Sequence, residues 1–362
     1  TILVEDSLKS LQELAQYHRN YLKLPIIALT GSNGKTTTKE LINVVLSKKF
    51  KTVATIGNLN NHIGVPLTLL SFTKETEIGM VEMGANHQKE IEFLCEIAQP
   101  DFGYITNFGK AHLEGFGGVE GVIKGKSEMY AYLKANAKSA FVNLDDEIQN
   151  NKTTNIKRYT FSQNDKAADV FIESVVANPF VIIKSLDVDV NSHLIGLYNA
   201  NNINVAVTIG HYFGVKPMEI KEAIEGYIPE NNRSQLLTKG TNEIILDAYN
   251  ANPSSMKVAL ENLIQWDTRD AAENSGAKPN KTIVIGDMYE LGDESLSEHK
   301  FIVDFLDKVA SFDCHFVGKD FYANAIGNKY LHFYPTFEDF SKYLSSNKLE
   351  NKTLLIKGSR GM

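Results

Sequence analysis

The stretch IIALTGSNGKTTTKELINVVL, residues 26–46, decides the fold of the first part of the chain. It opens with a short apolar run, which is typical of a strand buried on both faces of a parallel sheet. Leu41, Val44 and Val45 then recur at the spacing of one helical face. The stretch therefore predicts a strand, a tight turn at GSNGKT and a helix.

The turn GSNGKT has the composition of a phosphate-binding loop. Its glycines let backbone N–H groups converge on phosphate oxygens, while Lys35 supplies charge and Thr36 a hydroxyl for Mg²⁺. The following helix also points the positive end of its dipole at an anion. The usual pattern G-x-x-x-x-G-K-[ST] would need a glycine where the chain has Leu29, so we predict a shorter loop with Leu29 in the strand. The alternative is a glycine-rich turn with a surface lysine. The residues predicted here to bind nucleotide are Gly31, Ser32, Asn33, Gly34, Lys35, Thr36 and Thr37.

The rest of the chain continues the alternation of strands and helices. Strand-like segments KTVAT, EIGMVEMG, FGYITN and SAFVN are separated by helical ones, which predicts a doubly wound, mostly parallel α/β sheet. Residues 158–195 are rich in strand-like segments and predict a small antiparallel sheet beside it. After the Pro/Asn-rich IPENNRS the alternation resumes and predicts a Rossmann-like α/β C-terminal domain.

We predict three parts of the chain. Residues 1–22 form a linker helix, residues 23–229 a central ATP-binding domain, and residues 230–362 a C-terminal domain. The chain begins with Thr1 rather than methionine, so it is expected to be a fragment.

Composition excludes several classes of protein. The 362 residues are 43% hydrophobic and 22% charged, as in ordinary globular proteins. A net charge of −7 argues against nucleic acid as the main partner. Cys95 and Cys314 are too few for a disulfide framework, and no apolar run reaches the roughly 18 residues of a membrane helix. A cytoplasmic, monomeric protein is expected.

Candidate metal ligands follow other predicted strands. Glu82 ends an apolar strand, where a buried carboxylate is costly without a partner. It is either a Mg²⁺ ligand or a solvated acid at the strand end. His112 lies in the glycine-rich segment TNFGKAHLEGFGG, although a lone loop histidine is more often structural. From the residues alone, Lys124 and Lys126 are ordinary lysines on a helix surface.

The motifs together resemble the Mur ligases. The segments that carry the resemblance are TGSNGKTTTKE, GNLNNHIGVPLTLL, VEMGANHQKEI, TNFGKAHLEGFG, DAYNANPSSM, IGDMYELGDES and KGSRG. They span almost the whole chain, and DAYNANPSSM with GDMYELG is more specific than any phosphate loop. Within the family they are most similar to the ligases that join D-alanyl-D-alanine to UDP-N-acetylmuramoyl-tripeptide.

The resemblance implies roles for individual residues. Lys35 would contact the β- and γ-phosphates, Thr36 and Glu82 would hold one Mg²⁺, and His112 would bind a second. Lys126 matches the family's carbamoylated lysine, whose carbamate is an anionic metal ligand. Lys124, two residues earlier, is the alternative position for this lysine. Other residues implied to contact the nucleotide are Asn199, Asn202, Arg233, Asp247, Tyr249 and Asn250. Those implied to face the substrates are Asn60, Asn61, Asn252, Lys357, Ser359 and Arg360, although Asn-Asn and Lys-Gly-Ser-Arg are also ordinary turn sequences.

The implied reaction is amide-bond formation in peptidoglycan synthesis, driven by ATP through an acyl phosphate. It needs no protein nucleophile, in agreement with the absence of a persuasive Ser-His-Asp or Cys-His pattern. Closure of the C-terminal domain would complete the site.

The chain departs from the family in three places. Tyr198 stands where the family often has histidine, which weakens the assignment of the base contact. The N-terminal domain that grips the uridine nucleotide is expected to be missing, as is a helix after KGSRG. The alternatives are a related Mur or folylpolyglutamate-type ligase, a P-loop kinase or NTPase, and a noncatalytic ATP-binding module.

Overall fold

The computed structural model describes residues 3–230, 232–266 and 280–361. The chain divides into two compact units. The first unit comprises Thr1–Gly109, Gly115–His193 and Leu197–Tyr227, and the second comprises Lys110–Glu114, Leu194–Gly196 and Ile228–Met362. Among the described residues, no helix combines the length and the apolar character needed to cross a membrane. The domain boundaries given above stay a prediction.

One large sheet forms from the strands before Tyr227. These strands are β1 Ile26–Thr30, β2 Thr52–Ala54, β3 Ile78–Glu82, β4 Phe102–Ile105, β5 Ser139–Asn143, β6 Lys157–Ser162, β7 Val170–Ala177, β8 Phe180–Ser185 and β9 Val188–Ile195. The helices of this part are α1 Ser7–Leu22, α2 Lys35–Leu46, α3 Gly64–Leu70, α4 Glu90–Ala98, α5 Leu113–Phe116, α6 Val119–Ala135, α7 Glu147–Lys152, α8 Ala200–Tyr212 and α9 Pro217–Glu225. The strand order is β2-β3-β1-β4-β5-β6-β7-β8-β9.

Strand β1 lies at the centre of the parallel part of this sheet. Its residues pair in parallel with β3, where Leu29 is opposite Glu82, and with β4, where Thr30 is opposite Ile105. All five of its residues are buried, as the apolar run predicts for a strand covered on both faces. The predicted α/β fold with a mostly parallel sheet is confirmed.

The β-rich segment after α7 extends the same sheet. Strand β6 pairs in parallel with both β5 and β7, so its inclusion in an antiparallel sheet was wrong. The reason is that α7 carries the chain back across the sheet, which places β6 parallel to β5. Antiparallel pairing begins between β7 and β8, as the sequence predicts for that hairpin.

Helix α1 is tied to the first unit by buried polar contacts. The side chain of Asp6 caps its start by accepting hydrogen bonds from the N–H groups of Leu8 and Lys9. Arg19, which is 8% exposed, pairs with the carboxylate of Asp101 at 2.8 Å and donates to the carbonyl of Ala98. Asp101 also accepts from the N–H of Ile26 at 3.0 Å, so the same carboxylate holds both α1 and the start of β1.

The second unit has a mixed sheet of its own. Its strands are β10 Gln235–Lys239, β11 Asn242–Asp247, β12 Asn280–Gly286, β13 Cys314–Val317, β14 Leu331–Tyr334 and β15 Lys352–Lys357, in the order β10-β11-β15-β12-β13-β14. Its main helices are α10 Pro253–Gln265, α11 Ser295–Val309, α12 Lys319–Ala323 and α13 Phe337–Ser346. Among these described strands only β10 and β11 pair in antiparallel, and the other four pairings are parallel, which agrees with the predicted second α/β unit.

His315 on β13 is a buried histidine in the second unit. It is 1% exposed, and its Nδ1 lies 3.1 Å from the hydroxyl of Tyr334. Burial, reinforced by the positive charge of His332, lowers the pKa of His315 from 6.5 to about 4. The folded state therefore favours the neutral ring.

We expect this histidine to make the folded state less stable in acid. Because the pKa of His315 is lower in the folded than in the unfolded state, the stabilisation that its neutral ring gives the folded state is fully present above pH 6.5. This stabilisation is lost as the pH falls toward 4. The loss is about 3 kcal/mol between pH 7 and pH 4. In urea titrations at a series of pH values, His315→Phe should reduce the pH dependence of unfolding, whereas His193→Phe, at an exposed position, should not. Equal pH dependence in both variants would contradict the assignment.

Candidate functional site

The loop between β1 and α2 can be formed only with glycine at two positions. Gly31 has φ +143°, and a Cβ there would lie 1.9 Å from Oγ1 of Thr106. Gly34 has φ +80°, and a Cβ there would lie 2.7 Å from Oδ1 of Asn202. Both the backbone conformation and the surrounding side chains therefore exclude other residues.

The loop leads directly into the N-terminus of α2. The first helical hydrogen bond runs from the N–H of Thr38 to the carbonyl of Gly34. The first turn of a helix leaves N–H groups for other acceptors, and its dipole favours an anion there. The ammonium group of Lys35 folds back over the loop and donates to the carbonyl oxygens of Gly31 at 2.8 Å and Ser32 at 3.3 Å. A cation and a helix N-terminus thus meet at this loop.

Glu82 lies beside this loop at the end of β3. It is 1% exposed, and its carboxylate accepts a hydrogen bond from the hydroxyl of Thr36 at 2.9 Å. The amide of Asn60 donates to the other carboxylate oxygen at 2.8 Å. A hydroxyl and a carboxylate are hard oxygen ligands of the kind that Mg²⁺ prefers. The structure therefore brings together Thr36, Glu82 and Asn60. Asn61 instead accepts hydrogen bonds from the N–H groups of Ile63 and Gly64 at the start of α3.

Lys126 is a buried residue of α6, whereas its neighbour Lys124 is exposed. Only 1% of Lys126 is accessible; its ammonium donates to the carbonyl of Ala85 at 3.2 Å and lies 5.0 Å from the ring centre of Phe116. Burial and the positive charge of Lys35 hold its pKa well below 10.5. Both effects oppose protonation of the amine. The expectation of a surface lysine was wrong, because Lys126 is buried.

Asn199 and Asn202 form a buried polar pair at the start of α8. The amide of Asn202 donates to Oδ1 of Asn199 at 2.8 Å, and its own Oδ1 accepts from the hydroxyl of Thr38 at 2.9 Å. Asn202 also lies against Gly34. The pair is thus next to the phosphate loop, and its predicted contact with adenine stays a prediction.

His112 belongs to the second unit, in the short segment Lys110–Glu114. Its Nδ1 contacts the carboxylate of Glu290. The hydrogen bond with His112 holds the pKa of Glu290 below its usual range. The role of His112 as a metal ligand stays a prediction.

The carboxyl edge of the second sheet carries a buried ion pair. The ammonium of Lys357, which is 3% exposed, lies 2.6 Å from the carboxylate of Asp247, directly across the β11–β15 pairing. Asp247 also accepts from the N–H of Ser234 at 3.3 Å. The guanidinium of Arg233 lies 3.7 Å from the ring centre of Tyr249. These predicted site residues are therefore grouped at one edge of the second unit.

The remaining predicted residues lie on the segments that follow these strands. The side chain of Asn252 caps α10 by accepting from the N–H of Ser255 at 2.9 Å. The carbonyl of Asn250 lies 3.4 Å from the ammonium of Lys357. Ser359 is buried, and its hydroxyl accepts from the N–H of Tyr289 at 3.0 Å, while Arg360 is exposed.

Asp287, His299 and Asp320 form a further group whose spacing could suit a metal ion. The hydrogen bonds of the group argue for a structural role instead. His299 accepts from the N–H of Met288 at 2.9 Å through Nε2, and Asp287 accepts from the N–H groups of Asp320 and Phe321. The Nε2 lone pair of His299 is therefore already used, and its Nδ1 faces the carbonyl of Ser295 at 2.7 Å, so the ring has no nitrogen left for a metal.

Sequence reasoning missed two polar residues that contact the phosphate loop. Thr106 and Asn107 follow β4 directly and hydrogen-bond to the backbone of Asn33. Their position after a strand next to β1 is the signal that could have identified them, because the carboxyl ends of parallel neighbours share one edge.

The fold and site define a two-unit α/β protein with a phosphate-binding loop in its first unit. Residues 29–210 match the family model of the Mur ligase middle domain, and residues 232–360 match that of the Mur ligase glutamate ligase domain. The chain belongs to the Mur ligase family. The resemblance identified from the sequence motifs is therefore confirmed.

Several relatives are similar over nearly the whole chain. The UDP-N-acetylmuramoyl-tripeptide–D-alanyl-D-alanine ligase of Bacillus subtilis is 33% identical, with 100% of this chain and 79% of the relative covered. MurF from Acinetobacter baumannii has a TM-score of 0.85 at 31% identity, covering 99% of this chain and 79% of the other. MurF ligase from Thermotoga maritima, solved in complex with ADP, has a TM-score of 0.82 at 26% identity, with 99% and 82% covered.

Glu82→Gln tests the proposed metal ligand. We expect Mg²⁺-dependent nucleotide binding to weaken about ten-fold or more, because a charged partner is worth about 1.5 kcal/mol or more. Calorimetric titration of ADP with and without Mg²⁺ measures the change. Glu92→Gln, which alters a half-exposed carboxylate on α4, is the control. Equal Mg²⁺ dependence in wild type and Glu82→Gln would remove Glu82 from the metal site.

Proposed function

We propose that the chain is an ATP-dependent ligase that joins D-alanyl-D-alanine to UDP-N-acetylmuramoyl-tripeptide in the synthesis of peptidoglycan precursors. The observation that carries the proposal is the Thr36–Glu82 contact at the mouth of the phosphate loop, in a chain that both family models match. Relatives that carry this name are similar over 100% and 99% of this chain. Their name is the source of the two proposed substrates. A cytoplasmic location and a monomeric state stay predictions.

The reaction has two steps. A carboxylate oxygen of the tripeptide attacks the γ-phosphorus of ATP, which forms an acyl phosphate and releases ADP. The amine of D-alanyl-D-alanine then attacks the acyl carbon, phosphate leaves, and the nitrogen loses a proton. Catalysis of such a transfer is mainly positioning and charge stabilisation.

The residues of the loop suit a nucleotide with Mg²⁺. Lys35 and the N-terminus of α2 would hold the β- and γ-phosphates, and Arg233 is proposed to reach them from the C-terminal part of the chain. Thr36 and Glu82 would hold one Mg²⁺, with His112 and Lys126 as proposed ligands of a second. The ions would neutralise charge on the transferred phosphoryl group.

We propose that the amine of Lys126 carries a carbamate. A lysine amine attacks CO₂ only when it is neutral, and the product carries a negative charge after loss of one proton. Burial and the positive charge of Lys35 hold the pKa of Lys126 well below 10.5, which opposes protonation of its amine. The carbamate would turn a residue that binds no cation into an anionic metal ligand.

Phosphate release is the test of the ligase function. With ATP, Mg²⁺, bicarbonate and UDP-N-acetylmuramoyl-tripeptide, we expect release that depends on D-alanyl-D-alanine. Dependence on glutamate instead would indicate a related ligase. Phosphate transfer to a hydroxyl acceptor would indicate a kinase, and ATP turnover without any acceptor an NTPase. ATP binding without release, in this chain and in a longer form, would leave a noncatalytic module.

The carbamate has its own test. After equilibration with ¹³C-bicarbonate, we expect a carbamate carbon signal in the NMR spectrum of the wild-type protein and its loss in Lys126→Met. Lys124→Met is the matched control, because Lys124 is an exposed lysine on the same helix. A signal that survives Lys126→Met and disappears in Lys124→Met would reverse the assignment, and no signal in the wild type would refute the carbamate.

A further inference from the structure

Thr106 and Asn107, which we call the clamp, hold the middle of the phosphate loop. The amide of Asn107 contacts both backbone groups of Asn33: its Oδ1 accepts from the N–H at 3.2 Å, and its Nδ2 donates to the carbonyl at 3.0 Å. The hydroxyl of Thr106 donates to the same carbonyl at 2.6 Å. One carbonyl oxygen therefore receives two side-chain donors.

The backbone of the clamp also forms hydrogen bonds with the residues on either side of Gly31. The N–H of Ser32 donates to the carbonyl of Asn107 at 3.1 Å, and the N–H of Thr106 donates to the carbonyl of Thr30 at 2.9 Å. Gly31 lies so close to Thr106 that a Cβ would overlap its hydroxyl. The loop and the clamp therefore continue the β1–β4 pairing beyond the ends of the strands.

The clamp determines the direction of one peptide group. In a trans peptide the carbonyl and the following N–H point in opposite directions. Holding the carbonyl of Asn33 on the clamp side therefore directs the N–H of Gly34 away from the clamp. Gly34, with φ +80°, is a residue at which a peptide group rotates at little steric cost. A rotation would present a carbonyl oxygen where a phosphate needs a donor.

We propose that Thr106 and Asn107 are positioning residues for nucleotide binding, which keep the Asn33–Gly34 peptide in the orientation that offers the N–H of Gly34 to phosphate. The clamp acts through the loop and contacts no reacting atom. The inference rests on the proposed function only in requiring that the loop binds nucleotide.

Equilibrium binding of ADP with Mg²⁺ tests the clamp in the full chain, at a temperature well below unfolding. Asn107→Ala removes three side-chain contacts, counting its bond from the N–H of Gly109 at 3.4 Å, and should weaken binding by about ten-fold or more. Thr106→Val keeps the shape of the side chain and removes the hydroxyl, so binding should weaken by about five-fold. Thr106→Ser restores the hydroxyl and should bind within about two-fold of wild type.

A control separates positioning from general stability. Asn43 lies near the other end of α2 and accepts a hydrogen bond from Thr52 at 2.7 Å. Asn43→Ala should lower the unfolding midpoint without nucleotide and leave ADP affinity unchanged. If Asn107→Ala and Thr106→Val both bound ADP with wild-type affinity, this inference would be overturned and the proposed function would not be affected. Absence of nucleotide binding in the wild type would overturn both the inference and the proposed function.

Discussion

The parallel pairing of β1 with β3 and β4 is the constraint on which the first unit depends. Parallel neighbours end at the same edge of a sheet, so residues far apart in sequence meet there. Gly31 follows β1, Glu82 ends β3 and Thr106 follows β4. The buried β1 in the middle holds all three in register. The site is therefore a consequence of strand order, and the loop adds glycines where side chains leave no room.

The second unit uses the same constraint with different chemistry. Asp247 and Lys357 are opposite each other on β11 and β15, and both occupy the last position of their strands. Removing two charges from water costs several kcal/mol per ion, and mutual attraction offsets this only with good geometry. Asp247 also accepts a hydrogen bond from the N–H of Ser234, the residue that follows Arg233. Such a pair contributes a fixed arrangement of groups at this edge more clearly than it contributes stability.

The sequence predicts much of this arrangement because its strongest signals are local. Each of these signals depends only on residues close in sequence. They are the apolar run of β1, the glycines at 31 and 34, and the carboxylate that ends β3. Strand partners are not local, which is why β6 was expected in an antiparallel sheet although it pairs in parallel on both sides. Asn107 was missed for a related reason: an asparagine after a strand is ordinary turn material until its neighbour is known.

Lys126 shows the limit of local reasoning most clearly. Helical spacing did not distinguish it from Lys124, and family resemblance was needed to single it out. The structure supplies a physical reason, because Lys126 is 1% exposed and has a carbonyl and an aromatic ring as neighbours.

Glu82 is as buried as Lys126 and accepts hydrogen bonds from the neutral donors Thr36 and Asn60. Both groups are compensated less fully than the Asp247–Lys357 pair, whose charges neutralise each other. Buried ionisable groups without full compensation are costly for the folded state, and a carboxylate held this way gains most from a cation. Glu82 and Lys126 thus differ from Asp247 and Lys357 in having no oppositely charged side chain in hydrogen-bond contact among the described residues.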